Sequence, residues 1–67
     1  LRGDEAVMDM GFDYEKMEWW IDGKLKSNER TLKLRKEDYP NHQKISITIK
    51  AHYKGALFTE SWQTEFR

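Results

Sequence analysis

The sequence predicts an all-β chain, a small antiparallel β-sandwich of about six strands. Three observations carry that reading. Met17-Glu18-Trp19-Trp20-Ile21 runs into Asp22-Gly23 and returns at once through Lys24-Leu25-Lys26. Asp-Gly suits a two-residue type I′ hairpin, because both central residues of that turn need positive φ. Ile45, Ile47, Ile49, Ala51 and Tyr53 alternate strictly with Ser46, Thr48, Lys50 and His52, the period of a strand rich in β-branched residues. Finally, no segment sustains a helical period.

Each element follows in chain order. Ala6 to Met10 alternates, with Ala6, Met8 and Met10 on one face. Gly11-Phe12-Asp13-Tyr14 reads as a loop. Met17, Trp19 and Ile21 share a face of the second strand, and Glu18, Trp20 and Asp22 share the other. Trp19 keeps the aliphatic company and is assigned to the core, with Trp20 at least partly exposed. Lys24-Leu25-Lys26 is a short return strand and Ser27-Asn28-Glu29 a turn. Thr31 to Arg35 is a strand with Leu32 and Leu34 inward. Lys36 to Lys44 holds Asp38, Pro40 and Asn41 and is expected to cross between sheets as a loop; the residue before a proline, Tyr39, disfavours helix. Glu29 to Asp38 is the best helical alternative, but the Leu32–Leu34 spacing of two favours strand. Lys54-Gly55 is a tight turn into Ala56 to Phe66. That last strand mixes its faces: Phe58, Trp62 and Phe66 share a parity with Glu60 and Thr64, and Leu57 shares the other with Thr59 and Ser61. Mixed faces point to a bulge or an edge position.

The chain has 67 residues, which limits it to one domain, 1–67. It opens on Leu1 and is expected to be part of a larger protein. Hydrophobic residues make up 37% and charged residues 36%, a thin core under a charged surface. Three Trp, three Tyr and three Phe compensate, since an aromatic side chain buries about 150–250 Å². Absence of cysteine excludes disulfides, thiolate metal sites and a thiol nucleophile. No apolar run approaches the ~20 residues of a membrane span, and no membrane partner is expected. Net charge is zero, yet residues 1–22 hold seven acids and two bases while residues 23–67 hold ten bases and five acids. Interleaving strands are expected to mix these charges on one surface, in preference to head-to-tail stacking of a dipolar chain.

The order of these features resembles the immunoglobulin-like domains of bacterial surface proteins and phage virion proteins. The resemblance runs over about residues 6–66: Trp19-Trp20-Ile21-Asp22-Gly23, then Thr31-Leu32-Lys33-Leu34, the acidic loop Lys36-Glu37-Asp38-Tyr39, and Ile45 to Ala51 with a hairpin into the last strand. Three departures accompany it. The family's disulfide pair is absent, the first of its usual seven strands has no counterpart, and Pro40-Asn41-His42 stands where a glycine is common. The resemblance implies a non-enzymatic structural or adhesive module of an extracellular, cell-surface or virion protein, making protein contacts through loops or an edge strand. A sandwich short of one strand leaves an edge for a neighbouring domain, a second copy or another stretch of the parent chain to cover.

Other motifs point to chemistry less strongly. Arg2-Gly3-Asp4 matches the integrin-binding tripeptide, but a terminal copy lacks a fixed loop, and chance occurrence is the expected reading. Asp9, Asp13 and Glu15 supply oxygen ligands without the spacing of a calcium loop, so they read as a solvated acidic loop and no metal is expected. His42 and His52 belong to no catalytic constellation, and neither an enzyme activity nor a cofactor is expected. Arg30, Lys33, Arg35 and Lys36 make a basic stripe, but a nucleic-acid partner would want a net positive domain. Phe12, Tyr14, Trp20 and Trp62 form the candidate contact set, an exposed aromatic strip for a protein partner. The alternative is a carbohydrate-binding module stacking sugars on the same aromatics.

Overall fold

Two positive-φ hairpin turns and three passages between sheets arrange the chain. The computed structural model describes residues 3–40 and 42–66. It has six strands among them: β1 (Glu5–Asp9), β2 (Lys16–Ile21), β3 (Lys24–Ser27), β4 (Thr31–Arg35), β5 (Ile45–Tyr53) and β6 (Ala56–Thr64). Asp22 and Gly23 take φ of 50° and 82°, and Lys54 and Gly55 take 50° and 78°. These are the conformations a two-residue I′ loop requires, so β2–β3 and β5–β6 are hairpins. The expected strand Ala56 to Phe66 ends at Thr64; Phe66 leaves the sheet and becomes fully buried, stacked on Tyr39 at 6.1 Å between ring centroids.

All pairings are antiparallel and form two sheets, β1-β4 and β3-β2-β5-β6. The chain crosses between the sheets in the stretch after β4, as expected of a loop there. The loop contains one 3-10 turn, Lys36–Asp38, closed by the Tyr39 N–H donating to the Lys36 carbonyl at 3.0 Å. The Asn41 part of the loop and the Arg2 part of the Arg2-Gly3-Asp4 motif lie outside the described residues.

The core sits between the two-stranded layer and one half of the four-stranded layer. Trp19, Ile21, Leu32, Leu34, Ile45, Ile47 and Phe66 form it, with Ala6, Met8, Met10, Tyr39 and Ile49 packed around. Trp19 is 2% exposed, and its indole N–H donates to the Glu29 carbonyl at 3.0 Å. A buried tryptophan has one polar atom to satisfy, and the β3–β4 turn satisfies it. The charged halves of the chain interleave: Glu5 faces Lys33 and Arg35, and Asp9 and Asp13 face Arg30.

Candidate functional site

The two layers are unequal, and the inequality makes the site. β4 lies beside β3, so β1 is turned toward the β5–β6 side. The two-stranded layer covers β2 and the start of β5 and stops short of β6. From Ala56 through Gln63 every residue of β6 is exposed. Phe58 is 54% and Trp62 38% exposed, although both lie on the core-side face, opposite Ala51 and Ile47. The mixed parity of this strand thus has a simple cause: an edge strand that one layer leaves bare on both faces needs no coherent apolar face. No register shift interrupts its pairing with β5, so it is an edge and not a bulge.

Backbone direction follows from register. The Asp22 N–H donates to the Ser46 carbonyl and the Glu15 N–H to the His52 carbonyl, both at 2.9 Å. Alternate residues of an antiparallel strand turn both backbone groups to opposite sides. Ser46, Thr48, Lys50 and His52 therefore turn toward β2, and Ile45, Ile47, Ile49, Ala51 and Tyr53 toward β6. Their partners Ala56, Phe58, Glu60, Trp62 and Thr64 turn back to β5. Leu57, Thr59, Ser61 and Gln63 turn their N–H and C=O groups outward, where no strand of the described residues pairs.

A groove of about 370 Å³ runs along the bare face, lined by Met10, Tyr14, Ile49, Ala51, Phe58, Thr59 and Glu60. At its end Phe12, Tyr14 and Tyr53 pack as a trio, with Phe12 5.0 Å from Tyr14 and 5.3 Å from Tyr53. The four aromatics singled out in the sequence do not lie on one surface. Trp20 pairs with Thr48, which pairs with Ser61, so it stands on the outer face. It is half-buried there, under the Lys50 ammonium at 4.7 Å and with its N–H to Glu18 at 3.2 Å. Trp62 stands on the opposite face, and Phe12 and Tyr14 stand in the loop before β2. Tyr14 and Trp62 border the bare side. Phe58 and Glu60 belong with them, while Leu57 stands on the outer face opposite His52; only the mixed parity of the last strand pointed to these residues in the sequence.

The acidic loop is a charge-paired corner. Arg30 Nε is 2.7 Å from Asp9 Oδ1, and its Nη1 is 3.3 Å from Asp13 Oδ1. The hydrogen bond from Arg30, and then that from the Gly11 N–H, hold the Asp9 carboxyl below its ordinary range. Glu15 accepts the Lys54 N–H at 3.0 Å. Among the described residues no three metal-ligating side chains gather. His52 lies on the outer face of β5 opposite Lys16 and Leu57, and His42 stands 3.6 Å from Glu65. No family model, curated protein or solved structure matches the chain.

Proposed function

We propose that this chain is a non-enzymatic, immunoglobulin-like structural or adhesive module of an extracellular or virion surface protein, and that it makes protein contacts through the edge of β6. The observation that supports the reading is the nine-residue edge strand, with outward backbone groups and with Leu57, Phe58 and Trp62 exposed. Exposed apolar side chains along an unpaired strand edge are what strand addition uses: main-chain hydrogen bonds hold the partner, and alternate side chains select it. β1 offers a poorer edge. It is five residues long, and it carries a charge at each end, Glu5 paired with Lys33 and Arg35 of β4 and Asp9 paired with Arg30; short, charged edges discourage pairing.

The test is amide hydrogen exchange of the protein alone and within its parent assembly. Alone, Leu57, Thr59, Ser61 and Gln63 exchange fast while Phe58, Glu60 and Trp62 are protected. In the assembly, the first four slow down. Unchanged exchange at those four overturns the reading. Glycan binding that disappears in Trp20→Ala, with the fold intact, selects the carbohydrate-binding module instead.

A further inference from the structure

We propose that the strand received by β6 comes from a different protein, lies antiparallel to β6, and presents an apolar residue, a basic residue and an apolar residue at alternating positions toward Phe58, Glu60 and Trp62. This inference rests on the edge-strand reading and specifies its partner.

The register sets the positions. Because Leu57, Thr59, Ser61 and Gln63 aim their backbone groups outward, Phe58, Glu60 and Trp62 fall at the non-hydrogen-bonded pairs of the new ladder. Directly opposite residues come closest there, with Cα atoms about 4.5 Å apart. The incoming residue opposite Glu60 therefore meets its carboxylate at close range. Glu60 lies in the middle of β6, is exposed, and makes no ion pair within the described residues. The aromatics on either side of it make the flanking positions apolar. Opposite charges directly across an antiparallel pair are favourable and like charges unfavourable, so Lys or Arg completes the pattern.

The same residues argue against a second copy. Full-length antiparallel pairing of β6 with itself centres on Glu60 and sets two carboxylates face to face. None of the twelve Lys and Arg residues in the sequence has an apolar residue two positions away on both sides, so no strand of another copy carries the complementary pattern.

The probe is a pair of synthetic peptides titrated into the isotope-labelled protein. One reads Thr-Val-Thr-Lys-Thr-Val-Thr, and the other has Glu in place of Lys. The expected result is protection and shift of the Leu57, Thr59, Ser61 and Gln63 amides by the Lys peptide, with affinity about two- to five-fold above the Glu peptide. The preference vanishes in Glu60→Gln and reverses in Glu60→Lys, both of which change an exposed side chain and retain the native amide spectrum elsewhere. Equal binding of the two peptides at the edge overturns the charge pattern and leaves the edge-strand reading intact. Failure of both peptides to perturb those four amides overturns both. A protein that dimerises through β6 by sedimentation and amide protection overturns the choice of a different protein.

Discussion

Trp19 shows how one side chain settles a small core. It fills the space between the layers, and its single donor reaches the Glu29 carbonyl. Trp19→Ala removes both the packing and the hydrogen bond. Large-to-small aromatic changes in cores cost about 3–5 kcal/mol, comparable to the whole stability of a domain this small. The expected outcome is a chain unfolded at room temperature by circular dichroism. Two titratable residues give stability a pH dependence. The Asp9 carboxyl is held below its ordinary range by Arg30 and Gly11, so the unfolded chain takes up this proton first. Its contribution is present above the ordinary carboxylate pKa and is lost as pH falls through the folded value. Tyr39 goes the other way. Burial, then the charges of Asp22 and Asp38, push its phenol up. Its contribution is present below the ordinary tyrosine pKa and is lost as pH rises through the folded value. Denaturant midpoints should therefore fall at both ends, and Asp9→Asn and Tyr39→Phe should each flatten one end only.

At the scale of the element, β6 is a strand with two different edges. Proline removes an N–H, which is tolerated where that N–H faces solvent and costly where it belongs to a ladder. Ser61→Pro keeps the pairing with β5, since Ser61 turns outward. Glu60→Pro deletes a bond to β5 and should cost about 1–3 kcal/mol more than Ser61→Pro. Thermal melts of the two variants check this, and equal losses would contradict the derived backbone direction. The Asp22-Gly23 turn carries a second constraint. Gly23 sits at φ of 82°, so Gly23→Ala should destabilise by about 1–2 kcal/mol, although an added Cβ there meets no atom within 4 Å.

Across the whole molecule, the stable part and the exposed part are divided by where the two-stranded layer ends. Over β2 and the start of β5 the layers bury Trp19, Ile21, Ile45 and Ile47. Beyond that, the four-stranded sheet continues alone. Phe58→Ser and Trp62→Ser, at rings 54% and 38% exposed, should therefore each cost less than Leu34→Ala, which should lose about 2–5 kcal/mol. The same two serine variants should weaken binding of the Lys peptide, because they remove the exposed aromatics on either side of Glu60. Peptide titration and denaturant titration separate the two effects.

Strand identity, inward faces and the two-residue turns were determined by the chain alone. Period-two alternation selects which of Leu32, Lys33 and Leu34 is buried, and Asp22-Gly23 and Gly55 supply residues that accept the positive φ a two-residue turn needs. These are local properties, each complete within a few neighbouring residues. Which aromatics share a surface was not legible, because it depends on strand order: Trp20 and Trp62 have matching chemistry, yet pairing through β5 puts them on opposite faces. The 3-10 turn at Lys36–Asp38 and the burial of Phe66 after β6 ends were also decided by the assembled layers. Above all, only the tertiary structure made β6 a bare edge. Burial of a strand depends on what lies across from it, and a four-stranded layer under a two-stranded one leaves its last strand uncovered.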